Sequence, residues 1–300
     1  MKRNQGNFAS KRSPRDGGQT IINLVLTILL VICIVPIIYI LALSFSSSTA
    51  ISTGQVSLIP RMPTLAAYEY SLGKPEFLHS LWVSIQRVFL GCSISLVFTV
   101  LAAFPLSRGK DRFPMGTFYS WLFIITMLFS GGLVPTYMII LKLKMIDTIW
   151  ALVIPGAVTA YNLLLTLNFF RSVPKEIDEA AEVDGAGYWR LLFSIYIPLS
   201  KTVIATTTLF NFVTHWNSWF DGLMYMNSSA NYPLQTYLQS LVVDTTTNLV
   251  YAGSLKNADL LNDKNIKAAQ IVLAAIPIVL VYPWLQKYFT KGMMIGSIKG

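Results

Sequence analysis

Groups able to make or break bonds are few in this chain, and none stands in a working arrangement. His79 and His215 have no partners at metal-ligand spacing, and no Ser, His and Asp set follows a recognisable order, so no catalytic and no metal-binding residues are assigned. A nucleotide phosphate would need a cradle of the form G-x-x-x-x-G-K-[ST]. The stretches "SLGKPEF" and "FTKGMM" lack both the spacing and the Ser or Thr. Cys33 and Cys92 lie inside apolar runs, where a thiol behaves as a small hydrophobe.

Two polar concentrations remain. The first is acidic, "KEIDEAAEVDGAG", with Glu176, Asp178, Glu179, Glu182 and Asp184 closely spaced. The second is "TTTLFNFVTHWNSWFDG", in which Asn211, His215 and Ser218 recur at helical spacing on one face, with Trp216, Trp219 and Phe220 beside them. Sugars are held by aromatic stacking plus hydrogen bonds, so this stretch is a candidate lining for a carbohydrate path. Interhelical polar packing and an outer aromatic belt account for the same residues.

The elements that must position these groups are membrane helices. Hydrophobic residues make up 54% of the chain and charged ones 12%, and the mean hydropathy is +0.56. A span needs about 20 mostly apolar residues. Ile21 to Leu43, Thr117 to Ile140 and Ile149 to Phe170 meet that without a charge; Leu81 to Leu106 does so with Arg87, Ile197 to Phe220 with Lys201, and Ala269 to Gln286 with Pro277 and Pro283. The expected fold is all-α, a polytopic membrane protein with six transmembrane helices. Arg87, about two turns from the outer end of its span, is expected to snorkel. The first apolar run exceeds the typical core of a cleaved signal, about 7 to 15 residues, and is read as a retained helix.

The net charge of +9 finds its use in sidedness rather than in nucleic acid, because short cytoplasmic loops carry the Lys and Arg excess. Arg108, Arg112, Arg171, Lys175, Arg190 and the basic ends fall on one side; Arg61, Lys74, Lys142, Lys144, Lys264 and Lys267 fall on the other. Both termini are therefore expected in the cytoplasm. Residues 1–18 read as a flexible basic arm, 19–290 as the membrane domain and 291–300 as a cytoplasmic tail. The outer segment Ser44 to Ser80, punctuated by Pro60, Pro63 and Pro75, is expected to form short surface helices; a second outer segment runs from Leu223 to Lys267. Pro36, Pro105, Gly131, Gly132, Pro135, Pro155 and Gly156 fall within spans and favour a bundle with broken helices.

The acidic stretch lies on the inner side between the fourth and fifth spans. Ser172 reads as its N-cap, Pro174 as its first turn, and Gly185 as its left-handed terminator. The resulting helix, roughly 16 Å long, is too short to cross a bilayer and must lie along the surface. Ala180 and Ala181 offer a smooth patch to another protein, the acids face that protein, and the run Tyr188, Trp189, Leu191, Leu192, Phe193, Ile195 and Tyr196 packs on the bundle or at the headgroups.

The string Glu179-Ala180-Ala181, two residues, Asp184-Gly185-Ala186, then an apolar run to Ile197-Pro198-Leu199 resembles the EAA loop of permease subunits in binding-protein-dependent ABC importers. The stretches "YFTKGMMIGSIKG" and "HWNSWFDGLMYM" are similar to the carbohydrate-uptake branch with the maltose-type fold, specifically the second permease of oligosaccharide and polysaccharide importers. The resemblance covers residues 20–300 and is strongest from 171 onward. It implies that Glu179, Ala180, Ala181, Asp184, Gly185 and Ala186 form a coupling helix docked on a cytoplasmic ATPase. It further implies a heterodimer with a second permease, two ATPase domains that hold ATP and Mg, and an extracytoplasmic solute-binding protein that delivers a carbohydrate. No cofactor is then expected in this chain, which would be a multi-pass protein of the bacterial cytoplasmic membrane and not itself an enzyme. The alternatives are a permease for a peptide or other small solute, or a self-sufficient secondary carrier. The spans hold no carboxylate pair of the kind such a carrier would use, and no internal repeat is evident.

Overall fold

The computed structural model describes residues 17–109, 111–243 and 261–297, with side chains of the last segment as far as Pro283. The basic arm up to residue 16, residues 244–260 of the second outer segment, and residues 298–300 of the tail lie outside the described residues.

Helix α1 (Gly17–Ser44) is apolar on every side and exposed along most of its length, as a helix facing lipid should be. Two short helices, α2 (Ser48–Ser52) and α3 (Ala66–Gly73), follow in the segment expected to carry them. They are tied to the bundle by Tyr68, whose hydroxyl donates to Ser44 Oγ at 2.7 Å. Pro75 then opens α4 (Pro75–Ser107), where its missing N–H costs nothing.

The spine of the subunit is α4. Its buried side places Phe77, Ser80, Ser84, Val88, Gly91, Ser95, Thr99 and Ala103 at steps of three and four, a stripe made mostly of small residues. Helices approach closely along such a stripe. At Gly91 the approach is close: a Cβ there would stand 2.6 Å from His215 Cδ2.

Three of the expected spans are not continuous. The run Thr117 to Ile140 is broken into α5 (Gly116–Leu128) and α6 (Leu133–Lys142), which meet at 116°. Gly132, at φ +86°, takes a backbone conformation that other residues resist, and Pro135 fits the first turn of the new helix. The run Ile149 to Phe170 is split into α7 (Ile149–Val153) and α8 (Ala160–Arg171) around Pro155 and Gly156. Helix α9 (Lys175–Val183) is the acidic element, and α10 (Tyr188–Leu199) turns through 80° at Ser200 into α11 (Lys201–Asn217). By contrast Pro36, Pro105, Pro277 and Pro283 lie inside helices without ending them. Apolar composition measures hydrophobic length, whereas a bend depends on the backbone torsions at a few positions, a glycine at φ +86° in one break and Ser200 at φ −99° in another.

After α11 come α12 (Phe220–Tyr225), α13 (Leu234–Val243) and α14 (Asp263–Ser297), the last running through the boundary read at residue 291. Helices α1, α4 and α14 are each long and apolar enough to cross a membrane, and the bent pairs α5–α6 and α10–α11 qualify if each is one span. The segments read as outer gather at one end of α4, where Ser84 Oγ accepts from Leu234 N at 2.7 Å and Asn265 Nδ2 donates to Ser46 O at 3.0 Å. At that end Asp147 is held below the usual carboxylate range, chiefly by Asn231 Nδ2 and also by the backbone N–H groups of Ser228 and Asn227. The segments read as inner gather at the other end.

Candidate functional site

Helix α9 is set by its two ends. Ser172 does not cap it: the Ser172 hydroxyl donates to Phe169 O at 2.7 Å and closes α8, while Pro174 stands at the N-cap of α9 with no side-chain bond. The reason is local, since a hydroxyl serves whichever helix end its backbone presents. At the C-terminus the expected glycine turn is present. Gly185 sits at φ +73°, its N–H reaches Glu182 O at 2.9 Å, and Ala186 N reaches Ala181 O at 2.9 Å. These paired bonds satisfy the last carbonyls and send the chain back toward the bundle.

The six residues assigned to the docking motif divide between two sides. Glu179, Ala180, Asp184 and Gly185 are exposed. Ala181 is 8% exposed and belongs to the core formed with Val100, Phe104, Leu167, Phe170 and Leu192, against which Ala186 also packs. Ala181 is therefore not part of an outward patch. Glu176, Glu179, Ala180 and Val183 instead form the free face, with Val183 standing 88% exposed. That apolar tip was not assigned from sequence, although its i, i+3, i+4, i+7 register with Glu176, Glu179 and Ala180 was the available signal.

Nor do all the acids face outward. Asp178 pairs with Arg108 and accepts the Tyr196 hydroxyl at 2.9 and 3.0 Å. Glu182 pairs with Arg112, with Nη2 to Oε2 at 2.8 Å. The Arg108 guanidinium lies 4.3 Å from the Phe104 ring centre and 4.6 Å from that of Tyr196. Arg171 donates to Leu106 O at 3.3 Å. Beside these pairs a groove of about 640 Å³ separates the α4–α5 connection from α9, with Lys175 and Glu179 among its lining. In the following segment Leu191, Leu192 and Tyr196 are buried, whereas Tyr188, Trp189 and Phe193 are exposed.

The second polar concentration is mostly interior. Asn211 accepts from Asn162 Nδ2 at 2.8 Å, His215 lies over Gly91, and Trp216 Nε1 donates to Ala274 O at 3.1 Å. These side chains join α11 to α8, α4 and α14. Ser218 donates to Asp221 Oδ1 at 2.8 Å. Trp219, 39% exposed, opens with Asn217, Gln235 and Gln239 onto a groove of about 330 Å³. Arg87 does not snorkel. It is buried, pairs with Asp221, and donates to Ser218 O at 3.2 Å. Its partner lies 134 positions along the chain, beyond the reach of any local reading.

Long apolar helices, broken spans and a short charged helix fastened to one end of the bundle define a helical membrane protein. A family model described as a binding-protein-dependent transport system inner membrane component matches residues 8–295, and the chain belongs to that family. It is 40% identical over 271 residues to protein LplC of Bacillus subtilis (strain 168), covering 90% of each chain. It is 36% identical over 271 residues to the polygalacturonan/rhamnogalacturonan transport system permease protein YtcP of the same organism, covering 90% of this chain and 93% of that one. Among solved structures, a chain of a bacterial ABC transporter involved in the import of the acidic polysaccharide alginate superposes with a TM-score of 0.86. That chain is 33% identical, and the match covers 92% of this chain and 98% of the other.

Proposed function

We propose that this chain is one permease of a heterodimeric ATP-driven importer that carries an oligosaccharide or polysaccharide fragment into the cytoplasm. The observation that carries the reading is the near full-length similarity to a polygalacturonan/rhamnogalacturonan permease and to a chain of an alginate importer. An extracytoplasmic binding protein supplies the carbohydrate, and two ATPase domains on partner subunits bind ATP and Mg. The chain crosses the bacterial cytoplasmic membrane six times with both ends inside, so α9 lies in the cytoplasm as the coupling helix. Its docking surface is Glu179, Ala180, Asp184 and Gly185, the part of the motif left exposed, together with Glu176 and Val183 beside them. Of the residues considered for a carbohydrate path, Trp219 and Phe220 are left exposed, and the amides of Asn217, Gln235 and Gln239 beside Trp219 suit hydroxyl recognition.

The test is ATP-dependent uptake into proteoliposomes holding both permeases and the ATPases, with the binding protein outside. Labelled oligogalacturonide and alginate oligosaccharide are offered beside sn-glycerol-3-phosphate and a dipeptide. Saccharide uptake that requires both ATP and the binding protein is expected. Uptake confined to the phosphate ester or the dipeptide would overturn the carbohydrate assignment, and saccharide uptake without ATP would overturn the importer class.

Sidedness has its own expected result. In whole cells an impermeant thiol reagent should label a cysteine at Thr53, on the exposed turn after α2, and should not label one at Asp184, at the C-terminal end of α9. Labelling at Asp184 from outside would place α9 in the wrong compartment.

A further inference from the structure

We infer that the ion pairs Arg108–Asp178 and Arg112–Glu182 form a two-point clamp that fastens α9 to the C-cap of α4 and to the turn that follows it, so that a displacement of α9 reaches α4 as a rigid-body movement. The inference rests on the reading of α9 as the ATPase-docking helix and adds the means by which its motion enters the bundle.

Register carries the argument. Asp178 and Glu182 stand at i and i+4 on one face of α9; Arg108 is the C-cap of α4, and Arg112 lies in the turn that follows, where its N–H and that of Phe113 both reach Gly109 O at 3.0 Å. A single attachment would act as a pivot, whereas two attachments one turn apart also prevent rotation about it. The two points differ in character. Arg108 and Asp178 have side chains only 5% and 13% exposed, the guanidinium is held between the Phe104 and Tyr196 rings, and the Tyr196 hydroxyl fixes the carboxylate from α10. Such a desolvated, hydrogen-bonded pair has no equal partner in water and keeps its geometry. Arg112 and Glu182 are 32% and 42% exposed and supply alignment more than strength.

The docking face is left free by this arrangement. Glu176, Ala180 and Val183 stand exposed away from the clamp, with Glu179 at its edge on the rim of the groove, so a partner grips one side of α9 while the end of α4 and its following turn hold the other. Helix α4 then extends for 33 residues, about 50 Å. Along it Arg87 holds Asp221 beside the break between α11 and α12. A movement delivered at Arg108 therefore arrives where the helices bend.

Spin labels read the clamp in the assembled complex with partner permease and ATPases, in a background with Cys33 and Cys92 replaced by serine. One label replaces Lys175, on the clamp side of α9; the other replaces Phe89, 71% exposed on α4. The unaltered clamp should give one narrow distance distribution that ATP–vanadate trapping leaves unchanged. Arg112→Glu and Glu182→Arg should each lose that narrow distribution, as should Asp178→Asn, and the double exchange Arg112→Glu/Glu182→Arg should restore it. Narrow, trapping-independent distributions in all three single variants would overturn the clamp and leave apolar packing around Ala181 as the only fastening. Copurification of the ATPases separates the two ideas. Their loss from the unaltered complex would refute the docking reading, and the label distance in the permease pair alone would still decide the clamp.

Discussion

Asp221→Ala is expected to destabilise the subunit by about 3 kcal/mol or more, because it strands a buried guanidinium without its counter-ion. Arg87 has a side chain 2% exposed, and its Nη1 lies 3.1 Å from Asp221 Oδ1. The carboxylate also accepts Ser218 Oγ at 2.8 Å and Gly222 N at 2.9 Å, so it organises the first turn of α12 as well. Removing the acid should therefore lower the temperature at which the detergent-solubilised protein loses its monodisperse peak. Replacing both partners by apolar residues, Arg87→Met with Asp221→Leu, should recover much of that loss, since a well-packed apolar pair often matches a buried ion pair. The helix break at Ser218 would be less well held in the double variant. If Asp221→Ala is as stable as its parent, the guanidinium reaches water and snorkels as its place in an apolar span suggests.

That pair marks the boundary of what the sequence alone conveys. Apolar length located the long helices, and the short helices α2 and α3 followed from proline spacing. The left-handed Gly185 was legible because a short acidic helix has to stop, and glycine is the residue that adopts the required torsion cheaply. Contacts between distant segments were not legible. An arginine in an apolar span reads as a snorkelling residue until its partner, far along the chain, is known. Alanine is similarly silent: Ala180 and Ala181 are chemically identical, yet one is exposed and the other lies in the core. The polar residues Asn211, His215 and Trp216 satisfied two readings from sequence, and the helices around them supply partners or close packing for all three. One signal carries further than it was taken, the shared spacing of Arg108 and Arg112 with Asp178 and Glu182. Two arginines four residues apart in one connection and two acids four residues apart on a short helix form a charge pattern that residue spacing by itself displays.

Gly185→Val and Glu179→Lys are expected to abolish uptake by different routes while leaving the subunit in the membrane and paired with the second permease. Gly185 holds φ +73° with no atom within 4 Å of the position its Cβ would take, so the obstacle to valine is backbone strain rather than crowding. A β-branched residue there costs about 1 kcal/mol or more. The strain can be relieved only by giving up the two bonds, Gly185 N to Glu182 O and Ala186 N to Ala181 O, that end α9 and aim the chain at α10. Glu179 has no such structural duty. It is exposed at the rim of the groove beside the clamp, so Glu179→Lys changes the sign of the charge offered to the ATPase without disturbing the core. Surface changes away from special features shift stability by about 0.5 kcal/mol or less. A large loss of uptake from Glu179→Lys at unchanged thermal stability would therefore come from the docking contact itself. The two variants should also differ in the purified complex: Glu179→Lys should release the ATPases in a manner relieved by raising salt, whereas Gly185→Val should misplace α9 at any ionic strength. Membrane vesicles assayed for retained ATPase and for ATP-driven uptake decide between them. Normal uptake by both variants would show that α9 is a surface loop with no part in coupling.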